Sequence, residues 1–297
     1  MNKAASDTGL TPSGSVAELH DAVREHYDKL IDLYEQLWGE HIHHGYWDLD
    51  APDVPRHQAQ ERTTRELAAF SRLPEGARVL DAGCGIGASA IWLAQQHGCH
   101  VEGITLSEEQ VARATEKAAA AGVADRAGFR LLDAMATDYD DGTFDAVWAM
   151  ESCELMPDKK AFLAECHRVL KPGGTLAVAT WCCRDDRLAP AEVRLLRKLY
   201  RDFAIAFVLP LDHYAELCAE LGFTDVDTVD WTEHVRATWK LSADIVKPVV
   251  RDPRVVRDLI KAKGFNTFRF LNSVPLMKQA YDKNIMRYGV FRATKPE

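Results

Sequence analysis

A run of glycines beside one acidic residue is the first feature of this sequence that could do chemistry. Asp81 closes a short apolar run, and the loop after it carries Gly83, Gly85 and Gly87 before the helix-favouring Ala88. A strand, a glycine-rich turn and a helix in this order can hold a cofactor, because glycines let the backbone approach a ligand closely. The spacing of Gly83, Gly85 and Ala88 also satisfies the dinucleotide fingerprint. The glycines alone therefore leave the type of cofactor open.

Neighbouring residues favour a cofactor with an ammonium group over a dinucleotide. Asp81 lies at the carboxyl end of the predicted strand, where its carboxylate can face the ammonium of an amino-acid moiety. The next predicted strand ends in Thr105, whereas a dinucleotide fold usually presents Asp or Glu to a ribose hydroxyl there. We also expect Gly87 to let the backbone approach a sulfonium-bearing chain. A nicotinamide-dependent oxidoreductase remains the alternative.

Two carboxylates follow a second predicted strand, near residues 144–150. Glu151 and Glu154 come just after its end, and such strand ends face the ligand crevice in open α/β sheets. A carboxylate there could accept a proton or stabilise positive charge on a substrate. Both residues are therefore candidate catalytic residues, and a solvated pair on a loop is the alternative.

Aromatic and basic side chains are the candidates for the substrate side. Trp38, Tyr46 and Trp181 offer aromatic faces that suit an apolar substrate, although aromatic residues are also common in cores. Arg197 and Arg201 share one face of a predicted helix and could hold a phosphate, with a solvated helix surface as the alternative.

The histidines at positions 41, 43 and 44 form the one cluster that suggests a metal. No carboxylate or cysteine constellation with ligand spacing accompanies His41, His43 and His44. We therefore expect no metal site.

Strands and helices alternate along most of the chain. Strands are predicted near residues 78–81, 99–105, 128–133, 144–150, 174–181, 224–231 and 284–293, with helices over 88–96 and 108–121. This order predicts a doubly wound α/β fold with a mostly parallel sheet and helices on both faces. We divide the chain into a disordered tail (1–15), an N-terminal helical cap segment (16–73) and a main domain (74–297). A positively charged helical insertion, about 235–283, is expected to form a lid.

The composition fits a globular enzyme. The chain has 297 residues, 47% of them hydrophobic, and a formal net charge of -9, which argues against a nucleic-acid partner. Its seven cysteines are irregularly spaced, as is typical of free thiols in a reducing compartment. No signal sequence or apolar run long enough for a membrane span is present, so a cytoplasmic location is expected. The sequence leaves the oligomeric state open.

The glycine loop and the strand after it resemble a known family. Val79 to Gly87 resembles the first motif of class I S-adenosylmethionine-dependent methyltransferases, and Gly103 to Gln110 is similar to a motif of cyclopropane fatty acid synthases and tocopherol or sterol C-methyltransferases. The resemblance implies S-adenosylmethionine as cofactor and a seven-stranded Rossmann-like sheet with an antiparallel C-terminal strand. The cofactor-binding residues that it implies are Tyr27, His43, Asp81, Gly83, Gly85, Gly87, Thr105, Leu106, Gln110, Asp133, Ala134, Met135 and Met150.

The resemblance continues into the predicted acceptor side. Phe144 to Asp158 resembles a motif of the tocopherol methyltransferases, but Leu155 stands where that family usually has a histidine, which rules out an inherited histidine base there. The similarity to cyclopropane synthases implies a catalytic role for Glu154. Thr180 to Asp185 resembles another tocopherol methyltransferase run and adds Arg184 to the substrate-binding candidates.

The expected activity is methyl transfer to a small, apolar acceptor. Carbon methylation of an isoprenoid or prenylated ring is the preferred reaction, because the tocopherol and sterol resemblances and the aromatic residues agree. Nitrogen or oxygen methylation of a small natural product is the alternative within the family, because relatives with one fold methylate different atoms. A protein that binds S-adenosylmethionine without turnover is the non-enzymatic alternative.

Overall fold

A seven-stranded sheet forms the centre of the molecule. The computed structural model describes residues 14–50, 53–185 and 187–297, so residues 1–13 of the expected disordered tail lie outside the described part. The strands are β1 (Arg78–Ala82), β2 (His100–Thr105), β3 (Ala127–Leu131), β4 (Phe144–Met150), β5 (Leu170–Cys183), β6 (Thr224–Asp230) and β7 (Met286–Thr294). Their order is β3-β2-β1-β4-β5-β7-β6. Strand β7 is antiparallel to both neighbours, and the other pairs are parallel. The predicted doubly wound α/β fold is confirmed.

Helices flank this sheet and connect its strands. They are α1 (Val16–Trp38), α2 (Arg56–Ser71), α3 (Ala88–Gln96), α4 (Glu108–Ala120), α5 (Lys159–Val169), α6 (Pro190–Asp202), α7 (Leu211–Glu220), α8 (Thr232–Val235), α9 (Ala237–Arg251), α10 (Pro253–Lys263) and α11 (Phe265–Asp282). Side chains cap several helix starts: Ser15 forms a capping box with Glu18 at α1, and Ser107 accepts the backbone N–H of Gln110 at α4. Short polar residues at these positions therefore fix where the helices begin.

Strand β5 is longer than the sequence predicts. It begins at Leu170 and passes through Gly173 and Gly174, which indicate a turn when read alone. The pairing with β4 shifts register between Phe144 and Ala146, so a bulge takes up the additional residues. At its other end, β5 extends to Cys183 because it pairs with β7.

The N-terminal helices and the insertion between β6 and β7 contact each other beside the sheet. The Tyr34 ring of α1 lies 5.1 Å from the Phe270 ring of α11, and Trp38 lies 6.2 Å from Trp239 of α9. In contrast, α10 buries none of its side chains. None of the helices in the described ranges is long and apolar enough to cross a membrane. The division of the chain into cap, main domain and lid stays a prediction.

Candidate active site

A deep cleft lies at the carboxyl ends of β1, β2 and β4. Helix α1 and the insertion also contribute to its lining, for example through His20 and Trp239. The predicted site residues that line this cleft are Tyr27, Trp38, His43, Asp81, Gly83, Gly85, Thr105, Leu106, Gln110, Asp133, Ala134, Met150, Glu151, Glu154 and Trp181. The structure thus brings together most of the residues predicted for the cofactor. Both acidic catalytic candidates, Glu151 and Glu154, line the same cleft.

Asp81 is a buried carboxylate with an unpaired oxygen among the described residues. Its side chain is 2% exposed, and its Oδ2 has no hydrogen-bond partner among the described residues. Burial raises the pKa of this carboxyl to about 7. A buried carboxylate without a counter-charge is unfavourable, so an ammonium group supplied by a ligand fits this position.

The part of the cleft beyond the glycine loop carries polar groups suited to a nucleoside. The Thr105 hydroxyl donates to Gln110 Oε1 (2.5 Å), which fixes the two side chains against each other. Asp133 accepts the backbone N–H of Met135 on Oδ1 (2.8 Å), while its Oδ2 lies 3.6 Å from Nδ1 of His20 in α1. Met135 is not among the residues that line the cleft: its backbone closes the turn at Asp133, and its side chain packs against the core, so its cofactor contact stays a prediction.

Gly87 also departs from the sequence-based expectation. A Cβ atom added there would lie 2.7 Å from the ring of Phe129 and 2.9 Å from Ala114. Gly87 does not line the cleft, because Phe129 and Ala114 fill the space on that side of the loop. The glycine is therefore required for packing between the loop, α4 and β3. By contrast, Gly83 and Gly85 do line the cleft.

Tyr46 lies outside the cleft. Its ring stacks on that of His234 at 4.2 Å, and the guanidinium of Arg62 lies over its face at 5.2 Å. The structure therefore does not bring Tyr46 together with the cleft residues, and its substrate contact stays a prediction.

The three arginines predicted for the acceptor also lie outside the cleft. Arg184 forms an ion pair with Glu192 (2.6 Å), and Arg201 pairs with Asp202 (2.9 Å). Arg197 and Arg201 line a separate groove between α1, α6 and the start of α11. Asp202 attracts several partners because its side chain is fully buried, and these partners hold that face of α6 in place. The structure therefore does not bring these three arginines into the cleft, and their contact with an acceptor stays a prediction.

Glu151 is surrounded by hydrogen-bond donors. Its Oε1 accepts the backbone N–H of His44 (2.6 Å) and the hydroxyl of Tyr288 (2.9 Å), and its Oε2 accepts Nδ1 of His44 (2.8 Å) and Nε1 of Trp181 (3.1 Å). Burial alone would raise the pKa of Glu151, but His44 overcomes this effect and lowers it to about 2. Glu151 also has a positive φ of 54°, which is strained for a residue other than glycine. The surroundings thus hold it ionised in one position.

His44 is a cleft residue that the sequence-based site does not include. It is 2% exposed and lines the cleft, and its Nε2 has no hydrogen-bond partner among the described residues. Its Nδ1 is bound to Glu151, which lies 107 positions later in the chain. Proximity in sequence could not reveal this pair, and the histidine-rich stretch was the one local signal. Within the described part of the chain, no group of three or more His, Cys, Asp or Glu side chains could hold a metal ion.

Glu154 differs from Glu151 in its protonation. It is 2% exposed and its Oε2 accepts the hydroxyl of Thr180 (2.8 Å). Burial, followed by the negative charge of Glu151, raises the pKa of Glu154 to about 8. At neutral pH Glu154 is therefore largely a neutral carboxylic acid, which can donate a hydrogen bond but is poorly prepared to accept a proton.

Glu154→Gln is expected to stabilise the protein at high pH. The unfolded chain releases this proton near pH 4.5 and the folded protein near pH 8, so the folded state binds more protons between these values. The free energy of unfolding of the wild type therefore decreases as pH rises through this window. Urea unfolding should show that Glu154→Gln gains stability relative to the wild type between about pH 5 and about pH 8.5. Glu75→Gln, at an exposed position, serves as control. If the stability difference between Glu154→Gln and the wild type were the same at about pH 5 and at about pH 8.5, the raised pKa of Glu154 would be contradicted.

Known proteins resemble the chain over nearly its whole length. Residues 79–174 match a family model described as a methyltransferase domain. The chain is 33% identical over 299 residues to the chloroplastic tocopherol O-methyltransferase of Arabidopsis thaliana, which covers 95% of this chain and 84% of that protein. It is 38% identical over 224 residues to the 27-O-demethylrifamycin SV methyltransferase of Amycolatopsis mediterranei, covering 73% of this chain and 79% of that protein.

A solved structure extends this likeness to the fold. The crystal structure of the [4+2]-cyclase SpnF has a TM-score of 0.79 and 28% identity, and it covers 92% of this chain and 95% of that chain. The relatives and the family model identify S-adenosylmethionine as the cofactor, so the nicotinamide alternative is wrong. The chain belongs to the class I S-adenosylmethionine-dependent methyltransferases.

Proposed function

We propose that this methyltransferase acts on a small, apolar, ring-bearing acceptor, with carbon methylation of a prenylated or isoprenoid ring as the preferred reaction. The observation that carries this proposal is the aromatic wall of the cleft. The rings of Trp181, Phe203 and Trp239 lie 5.6–6.0 Å apart in pairs, and Trp38 adjoins Trp239 at 6.2 Å. Such a wall favours a flat apolar ligand and gives it many contacts without a fixed hydrogen-bond pattern.

The roles of the cleft residues follow from their chemistry. S-adenosylmethionine supplies a methyl group that is already activated on a sulfonium. Asp81 would bind the ammonium of its amino-acid part, and Thr105, Gln110 and Asp133 would hold the adenosine. The aromatic side chains orient the acceptor and exclude water, which are the main contributions that a protein can make when the donor is activated. The neutral carboxyl of Glu154 would donate a hydrogen bond within the acceptor side.

The names of the relatives support this class of acceptor. The Arabidopsis protein is named a tocopherol O-methyltransferase, which supports an acceptor of the tocopherol kind and at the same time supports oxygen methylation as the alternative. The Amycolatopsis protein is named for an oxygen methylation of a natural product, which keeps oxygen methylation as the alternative. The [4+2]-cyclase has this fold and a different named reaction, so turnover itself requires a test.

The test measures methyl transfer from isotopically labelled S-adenosylmethionine to four acceptor classes: prenylated phenols, isoprenyl diphosphates, amines and glycosides. We expect label in the prenylated phenols, with magnetic resonance identifying the methylated carbon. Label on oxygen would favour the alternative, and label in only the amines or diphosphates would overturn the acceptor class. Tight binding of S-adenosylhomocysteine without transfer to any class, or conversion of an acceptor without gain of mass, would contradict the proposed reaction.

A further inference from the structure

We propose that His44 accepts the proton of the acceptor, that Glu151 positions it, and that the acceptor therefore carries a hydroxyl group on its ring. This inference rests on the proposed function and assigns the residue that accepts the proton during methyl transfer. Neither acidic candidate suits this role. Glu151 already accepts four hydrogen bonds, and Glu154 is buried against the Thr180 hydroxyl with a pKa that burial and the charge of Glu151 raise.

The contact with Glu151 determines which nitrogen of His44 carries the proton. An ionised carboxylate can only accept hydrogen bonds, so Nδ1 of His44 must donate in the 2.8 Å contact with Oε2. A neutral imidazole then has its free lone pair on Nε2. This atom is buried and has no partner among the described residues, although buried polar atoms are nearly always paired. A hydroxyl group of a bound ligand would supply the missing donor.

The position of His44 is determined on several sides. Its backbone N–H donates to Oε1 of Glu151 (2.6 Å), and its carbonyl oxygen accepts the hydroxyl of Thr63 (2.7 Å). The ring can therefore rotate little without breaking the contact between Nδ1 and Glu151. A base held in this way by an acidic partner has the geometry that general-base catalysis requires.

The surroundings of the ring suit a histidine that becomes charged during the reaction. The rings of Trp181, Trp239, Tyr281 and Tyr288 lie 5.1–5.7 Å from that of His44. These rings exclude water, and they can stabilise an imidazolium by cation–π contact. The negative charge of Glu151, in direct contact, stabilises the same cation.

The step balances in atoms and charge. The proton of the ring hydroxyl moves to Nε2 of His44, and the resulting oxyanion shares its negative charge with the conjugated ring carbons. A bond forms between the methyl carbon and either that oxygen or one of those carbons, while the bond from methyl to sulfur breaks and its electron pair stays on sulfur. His44 later releases its proton to solvent. After attack by carbon, the ring loses the proton of that carbon and the oxygen regains one.

The experiment compares ring-hydroxyl acceptors of different acidity. His44→Asn is expected to lower kcat about 100-fold or more with weakly acidic hydroxyls, because a positioned general base contributes about that much. The loss should shrink towards the wild-type rate with acceptors that are already ionised at the assay pH. Glu151→Gln should show the same dependence on acceptor acidity with a smaller loss, because it leaves the base present but no longer fixes its tautomer. His100→Asn, at an exposed position at the start of β2, is the matched control and should retain the wild-type rate.

Binding measurements separate this inference from simpler explanations. His44→Asn, together with His44→Gln as a second replacement at the same position, should bind S-adenosylhomocysteine within about threefold of the wild type, which would show that the fold and the cofactor side of the cleft are intact. A loss of kcat that is equal for all acceptors, or full activity of His44→Asn, would overturn the inference while the proposed function stands.

If the wild type transfers no methyl group, the proposed function fails, and binding of 4-nitrophenol then tests the role of His44 by itself. With S-adenosylhomocysteine present, the wild type should increase the ionised fraction of bound 4-nitrophenol relative to His44→Asn, and equal fractions would contradict the role of His44.

Discussion

Asp81→Asn is expected to weaken the binding of S-adenosylhomocysteine about 100-fold at about pH 8, which corresponds to about 2.7 kcal/mol. The variant keeps the shape of the side chain but removes the negative charge opposite the proposed ammonium. Charge-assisted hydrogen bonds in water-poor sites are worth about this much. This expectation is based on two structural observations. Asp81 is buried, and its Oδ2 has no hydrogen-bond partner among the described residues.

The same variant should remove the pH dependence of cofactor binding. In the free protein, burial raises the pKa of Asp81 to about 7, whereas the bound ammonium requires the ionised carboxylate. Below this pKa, binding must expel a proton, so the wild-type affinity is expected to increase about tenfold between about pH 6 and about pH 8. Above this pKa, the affinity of the wild type for S-adenosylhomocysteine should level off. The affinity of Asp81→Asn should stay the same across the whole pH range.

Calorimetric titrations at several pH values test both expectations. Asp125→Asn, at an exposed position after α4, serves as control and should follow the wild type at each pH. Buffers that differ in their heat of ionisation report the released proton directly. A wild-type affinity that does not change with pH, or an equal affinity of Asp81→Asn, would show that the buried carboxylate does not meet the ammonium.

The sequence predicts those features that depend on neighbouring residues. Strand β4 and helix α3 have the bounds that their patterns predict, because buried strands and helices carry apolar residues at a local period. The glycine loop with Asp81 is also local, since a strand end, a turn and a helix start lie within ten residues. Most residues that line this side of the cleft could therefore be named from the sequence, and their contact with the cofactor stays a prediction.

The acceptor half depends on contacts that the sequence does not contain. The pair of His44 and Glu151 spans 107 positions, and the wall that includes Trp181 and Trp239 combines β5 with the insertion. On α6, Lys198 and Arg201 pair with Asp202 of the same helix, and Asp202 also binds Arg269, which lies 67 positions later on α11. Helical spacing placed those cations on one face correctly, but it could not show which charge that face meets.

Gly87→Ala is expected to lower the free energy of unfolding by about 2–5 kcal/mol without a specific loss of cofactor affinity. The backbone at Gly87 has a φ of 83°, which costs a residue with a side chain about 1–2 kcal/mol. The new methyl group would also lie 2.7 Å from the ring of Phe129 and 2.9 Å from Ala114. Overpacking of this kind typically costs about 1–3 kcal/mol more.

Gly122→Ala provides a control that separates the two contributions. Gly122 has a similar φ of 72°, but a Cβ atom there would meet nothing within 4 Å, so this variant reports the backbone strain alone. Urea unfolding with and without S-adenosylhomocysteine should show a larger loss for Gly87→Ala, and the stabilisation by the ligand should be the same in both variants. Phe129→Leu in the Gly87→Ala background should recover part of the loss, because it removes the closest contact. If Gly87→Ala instead unfolded like Gly122→Ala and lost ligand stabilisation, Gly87 would serve the cofactor, as its place in the glycine loop first indicated.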